Sequence, residues 1–113
     1  MSQATTLTLL PQTPYTAPTT AITGAKQPAA AYYLGNKNLQ TLTWTLAEVS
    51  ATITVQATLA ENPIGTDWFD VFSITAETLS ETNYENIRGN FVWIRAVVAN
   101  FSTGIIQSVK ISY

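Results

Sequence analysis

The chain has 113 residues, of which 46% are hydrophobic but only 11% are charged, and its formal net charge is −2. This length predicts one domain with a sizeable core, and the five basic residues are too scattered to form a patch for nucleic acid. The absence of cysteine and histidine removes disulfides, thiol nucleophiles and imidazole as a base or metal ligand. The N-terminus lacks a signal-peptide pattern and no window approaches the length of a membrane span, so we expect a soluble protein without a membrane partner.

The N-terminal part of the chain predicts a short strand followed by an extended arm. Residues 5–10 alternate leucine and threonine, and three prolines within 11–18 then exclude a helix or a central strand. Two interpretations are open: the arm wraps over its own sandwich, or it reaches a neighbouring subunit. We take forward the second as a hypothesis. It makes the arm an assembly element that carries Leu10, Tyr15 and Ile22, with Tyr15 and Ile22 docking outside the sandwich to which they belong.

The next part of the chain predicts three strands. Residues 30–34 are apolar and aromatic, and the turn signal Gly-Asn-Lys-Asn follows them at 35–38. Residues 39–46 alternate leucine and tryptophan with threonine, and residues 53–59 continue the same alternation. This is the clearest period-two pattern in the chain, and it is typical of strands with one buried face.

The middle of the chain predicts a loop, an aromatic strand and a polar segment. Residues 61–66 contain Asn, Pro and Gly and predict a turn, and the aromatic stretch 67–74 predicts a returning strand. Residues 77–88 are polar, and Thr82 and Glu85 have the spacing of a capping box. We therefore expect one helical turn or a 3-10 turn in this segment.

Residues 91–98 form the densest apolar run and predict a central strand, because apolar side chains occupy both of its faces. Residues 105–113 predict the last strand. Only Arg95 interrupts the apolar run, and a half-buried guanidinium needs an acidic or carbonyl partner. We predict a structural ion pair between Arg95 and Asp70, which also lies in an aromatic strand.

These elements together predict an all-β protein. The fold class is an antiparallel β-sandwich of jelly-roll type with about eight strands and an extended N-terminal arm. The arm and first strand occupy residues 1–29, and the sandwich domain occupies residues 30–113. The predicted core contains twelve residues: Leu42, Trp44, Ile53, Val55, Leu59, Phe69, Val71, Val92, Ile94, Val98, Val109 and Ile111.

Candidate chemical sites are few. Asp67 and Asp70 are three residues apart in a predicted strand and so point to opposite faces, which argues against paired acid–base catalysis and makes a calcium site a minor alternative. Trp44 and Trp93 lie in apolar patterns and are assigned to the core, whereas Trp68 is the best candidate for a surface aromatic contact. We therefore predict no catalytic residue, no metal site and no cofactor.

Two resemblances bear on function. The alternating segment 53–59, a loop and the tryptophan-containing segment 67–71 resemble paired strands of galactose-binding-like jelly rolls of the discoidin kind, and Phe-Val-Trp-Ile-Arg-Ala at 91–96 is similar to a later strand of those sandwiches. The same layout, with the turn 100–104 and a last strand, resembles small virion structural proteins of tailed bacteriophages, notably myoviruses of marine cyanobacteria. The resemblance covers about residues 39–113.

The phage resemblance implies a non-enzymatic structural protein of the virion, serving as a capsid decoration, neck or tail component. Its partners would be other virion proteins and further copies of the chain in a homo-oligomer. The jelly-roll resemblance implies an alternative, a carbohydrate-binding module for a host-surface glycan. The arginine and histidine groups that grip sugars in those families are missing from the corresponding loops of this sequence.

Overall fold

The computed structural model describes residues 6–17, 20–29, 39–89 and 91–113. Seven strands and one 3-10 turn (Gly65–Asp67) lie in these ranges. The strands are β1 (Thr6–Leu10), β2 (Thr13–Pro14), β3 (Ile22–Thr23), β4 (Gln27–Pro28), β5 (Leu39–Thr58), β6 (Phe69–Arg88) and β7 (Trp93–Ser112). All seven belong to one antiparallel sheet, which confirms the predicted all-β, antiparallel class. The predicted strand 30–34 and turn 35–38 lie outside the described residues.

The sheet is built from three strands of 20 residues and an edge made of short pieces. β5 pairs with β6 on one side and with β7 on the other. The other edge of β7 pairs in succession with β1, β2, β3 and β4, all antiparallel. β7 is therefore a central strand, as the dense apolar run at 91–98 predicted, although the strand begins at residue 93 and extends to residue 112.

The long strands bend sharply. A straight strand of 20 residues would be about 66 Å long, whereas the longest dimension of the molecule is 40 Å. The bend coincides with left-handed backbone at Glu48 (φ 53°), Thr78 (φ 48°), Asn100 (φ 55°) and Gly104 (φ 91°). The pairing register also shifts at this level in both β5 pairings. β-Bulges increase local twist and bend, so these irregularities fold one sheet across all three long strands.

Folding brings the two halves of the sheet face to face. Trp44, before the bend, has its ring centroid 5.3 Å from that of Phe72, after the bend. Both lie beside a small gap that is also lined by Leu42, Ile53 and Val55. The architecture is thus compatible with a β-sandwich in which both layers belong to the same sheet.

The inner faces of the two layers form the core. Eight of the twelve predicted core residues are buried: Leu42, Trp44, Ile53, Val55, Ile94, Val98, Val109 and Ile111. Val71 and Val92 are half-buried. The assignment of Leu59 and Phe69 to the core is wrong, because 63% and 40% of their surface is exposed. Leu59 follows the last residue of β5, and Phe69 begins the edge strand β6, so neither has a strand on both sides to cover it.

Two further expectations about strands are wrong. The polar segment 77–88 forms no helical turn; it belongs to β6, where Thr82 lies opposite Thr45 and Glu85 opposite Leu42. An edge strand with an exposed face needs few apolar residues, and this explains how a polar sequence extends as a strand. The predicted turn at 100–104 is also absent, because the chain passes through this region as a bulge within β7.

The arm docks on its own sandwich, so the hypothesis that it reaches a neighbouring subunit is wrong. Leu10 is 2% exposed, and Tyr15 and Ile22 pack against the core of the same chain. The Tyr15 amide donates to the Gly104 carbonyl oxygen at 2.9 Å, and its ring meets Phe101 edge-on at 5.4 Å. The prolines explain the interruptions, because they leave only short pieces of two to five residues to pair with β7.

Candidate functional site

A row of polar residues crosses the outer face of one layer. Asp70 in β6 lies opposite Gln56 in β5, and Gln56 lies opposite Arg95 in β7. Their chain neighbours Val55 and Ala96 are buried in the core. Because successive side chains of a strand point to opposite faces, the row lies on the side away from the core.

Gln56 connects the two residues that were predicted to form an ion pair. Arg95 Nε donates to Gln56 Oε1 at 2.9 Å, and Gln56 Nε2 donates to Asp70 Oδ1 at 3.0 Å. The predicted Arg95–Asp70 pair is therefore corrected to a three-residue chain within the described part of the protein. The reason is the register: Gln56 belongs to the strand between β6 and β7, so it separates the acid from the guanidinium.

Trp68 covers the guanidinium of this row. The Arg95 Cζ atom lies 4.2 Å from the centroid of the Trp68 ring, within the range of a cation–π interaction. Trp68 directly follows the 3-10 turn. Two hydrogen bonds hold this turn: the Ile64 amide donates to Asp67 Oδ2 (2.8 Å), and the Asp67 amide donates to the Ile64 carbonyl oxygen (3.0 Å). Trp68 is half-buried, so the structure places this predicted surface aromatic on the outer face.

A second tryptophan and cation lie against each other on the same layer. Trp93 was assigned to the core from its apolar neighbours, but it is half-buried. The Lys26 Nζ atom lies 4.8 Å from the centroid of its ring, and its indole Nε1 donates to the Glu61 carbonyl oxygen at 2.8 Å. No sequence pattern indicated this contact, because Lys26 lies in the arm and comes close to β7 only where β4 pairs with that strand.

The chemistry of this cluster is limited to contact and hydrogen bonding. Both ends of the Gln56 amide are engaged within the row, and one face of the Trp68 ring is covered by Arg95. In the described part of the chain, no three acidic, histidine or cysteine side chains are grouped so that they could hold a metal ion. The contacts of this cluster therefore link β5, β6 and β7 with the 3-10 turn on the outer face.

A second group of exposed apolar side chains lies along the connection from β5 to β6. Leu59 and Ile64, in the connection, are 63% and 66% exposed, and Phe69, at the start of β6, is 40% exposed. Sequence reasoning missed this surface because it assigned Leu59 and Phe69 to the core. The position of Leu59 could have indicated its exposure, because the alternating pattern of β5 ends just before the Glu-Asn-Pro turn at residue 61.

Among the described residues no helix is long and apolar enough to cross a membrane.

Comparison with known proteins identifies no relative of this chain. No family model matches the chain, and no curated protein and no solved structure match it either.

Proposed function

We propose that the chain is a non-enzymatic structural protein that works through protein–protein contacts, and that it belongs to the virion of a tailed bacteriophage as a capsid decoration, neck or tail component. The observation that supports the first part is the exposed apolar surface of Leu59, Ile64 and Phe69. Apolar side chains exposed along a connection between strands suit a contact surface, since water around them is released when a partner covers them. The virion setting is supported only by the sequence resemblance.

The virion part of the proposal is tested on purified particles of a phage whose genome carries this sequence. Mass spectrometry of the particles should find peptides of the chain at a stoichiometric level after density-gradient purification. Their absence from particles, combined with their presence in the infected-cell lysate, would contradict the virion assignment.

The contact surface is tested with the double variant Leu59→Ser/Ile64→Ser. Both side chains are mostly exposed, so the free energy of unfolding should change by no more than about 0.5 kcal/mol. Incorporation into particles should fall at least about tenfold, because the exposed apolar area is lost. Leu39→Ser is the matched control: Leu39 is 41% exposed but begins β5 on the other layer. Equal incorporation of both variants would exclude this surface as the contact.

Glycan recognition is the second candidate, and the Trp68–Arg95 cluster is the observation that favours it. An indole flanked by hydrogen-bonding side chains can stack on a sugar ring, and here Arg95 already covers one face of the Trp68 ring. A glycan array showing saturable binding that is lost in Trp68→Ala, and kept in the Leu59→Ser/Ile64→Ser variant, would favour this candidate over the first.

A further inference from the structure

The two edges of the sheet differ in how they are protected. One edge is covered by the chain itself, since β1–β4 pair along β7. The other edge is β6, which pairs with β5 and with no second strand in the described ranges. An open edge offers unpaired backbone N–H and C=O groups to another strand, and proteins commonly block such edges with charges or bulges.

The second half of β6 carries such blocking charges. By register, Glu81 lies opposite Leu46, Asn83 opposite Trp44 and Glu85 opposite Leu42, so polar side chains occupy the core-facing positions of the edge. Glu81 Oε1 also accepts a hydrogen bond from Trp44 Nε1 at 3.2 Å. A strand pairing here would have to desolvate two carboxylates, and charges that face inward at an edge are a known means of preventing association.

The first half of β6 has two acids, Asp70 and Glu77, and both lie outside the regular stretch between its two bulges. Residues 72–76 (Phe-Ser-Ile-Thr-Ala) pair regularly with β5, and the register shifts on either side of them. None of the five is charged. Phe72 and Ile74 face the core but are only half-buried, and none of the described strands pairs with their outer flank. The segment is therefore regular, neutral, and apolar on its inner face.

We propose that residues 72–76 of β6 pair antiparallel with the same residues of a second copy of this chain, with Ile74 on the two-fold axis. In this register Phe72 lies opposite Ala76 of the second copy, so that a large side chain meets a small one on the inner face. Ser73 lies opposite Thr75 on the outer face, where cross-strand hydroxyl pairs are favourable. The segment is thus complementary to itself in size and polarity, as a two-fold interface requires. This proposal rests on the proposed function in that it names one partner of a protein that works through contacts.

The interface is small, since five residues per chain pair directly. Stable complexes bury about 1,200–2,000 Å² in total, so the dimer should dissociate on dilution. Sedimentation velocity of the purified chain over a concentration series should show a shift from 12.3 kDa toward twice that mass. A wild-type chain that stays monomeric up to its solubility limit would overturn the proposal, whether or not the chain is found in particles.

Charge substitutions test the register. Ser73→Lys/Thr75→Lys places lysine opposite lysine of the second copy twice and should raise the dissociation constant about tenfold or more. Ser73→Lys/Thr75→Glu places lysine opposite glutamate and should keep the dimer. All these positions are exposed, so the fold should persist. Dimerisation of the lysine pair at wild-type strength, or dissociation of the lysine–glutamate pair, would overturn the proposal.

The matched control lies on the same strand. Thr82→Lys/Tyr84→Lys adds the same two charges at exposed positions of the second half of β6, outside the proposed interface. This variant should dimerise as the wild type does. If it dissociates as strongly as Ser73→Lys/Thr75→Lys, net charge and not residues 72–76 would control association, and the proposal would be wrong.

Discussion

Gly104→Ala should destabilise the protein strongly, because the glycine lies where the sheet bends. Its backbone has φ +91°, and a Cβ atom built there would lie 2.2 Å from the Glu48 carbonyl oxygen and 2.5 Å from the Glu48 carbonyl carbon. An ordinary carbon–oxygen contact is about 3.3 Å or more, so the bulges of β5 and β7 would have to separate by about 1 Å. Both contact atoms belong to the backbone and cannot rotate away.

The expected cost has two parts. A left-handed backbone costs about 1–2 kcal/mol for a residue with a Cβ atom, and overpacking adds about 1–3 kcal/mol. The total loss in free energy of unfolding is therefore about 2–5 kcal/mol. With an m-value of about 1.5 kcal/mol/M, the urea midpoint should fall by about 1.3–3.3 M. The docking of the arm should weaken as well, because the Gly104 carbonyl oxygen accepts a hydrogen bond from the Tyr15 amide.

Gly65→Ala is the matched control for this prediction. No heavy atom lies within 4 Å of a Cβ atom built at Gly65, which is exposed in the 3-10 turn. The same chemical change should therefore shift the free energy of unfolding by no more than about 0.5 kcal/mol. If Gly104→Ala and Gly65→Ala unfold at the same urea concentration, close packing of the two bulges does not hold the bend.

Two other predictions follow from the corrected contacts. Arg95→Met should lower the free energy of unfolding by about 1–3 kcal/mol, because it removes a hydrogen bond and a cation–π contact from a half-buried site. Asp70→Asn should cost less than about 1 kcal/mol in the same urea titration; a loss of about 3–5 kcal/mol would instead indicate a direct buried ion pair. Deleting residues 1–29 removes the buried Leu9 and Leu10, worth about 3–6 kcal/mol of a typical 5–15 kcal/mol. The truncated chain should lack a cooperative thermal transition in circular dichroism, and a truncated chain that melts cooperatively near the wild-type temperature would contradict the structural role of the arm.

The alternation of apolar residues predicted the strands well but not their continuity. In β5 the buried apolar positions are even before the bend (42, 44, 46) and odd after it (49, 51, 53, 55, 57). A change of phase arises from a turn between two strands or from a bulge within one strand, and the sequence fits both. The structure contains the bulge, at Glu48 (φ 53°). The predicted strands 39–46 and 53–59 are consequently parts of one strand, and the same holds for 91–98 and 105–113.

The sequence predicted some residues of the polar cluster but not the hydrogen bonds that connect them. Arg95 and Trp68 were singled out because one interrupts an apolar run and the other lies beside a loop, and both belong to the cluster. The partner of Arg95 was assigned to the wrong residue, because strand order decides which side chains are neighbours. Gln56 is a polar position in the alternating stretch 53–59, and nothing in its local sequence marks it as the residue between two charges.

The arm and β6 show how the same sheet treats its two edges differently. The bend in β7 prevents one straight strand from following its whole length, and prolines divide the arm into pieces that pair above and below the bend: β1 and β2 with residues 105–112, β3 and β4 with residues 93–98. The arm thus closes one edge within the chain. β6 meets the same bend at Thr78, and its four acids, Asp70, Glu77, Glu81 and Glu85, all lie outside residues 72–76. Residues 72–76 are a regular, neutral stretch that no strand of the described residues covers on its outer side, and this is where we propose that a second copy extends the sheet.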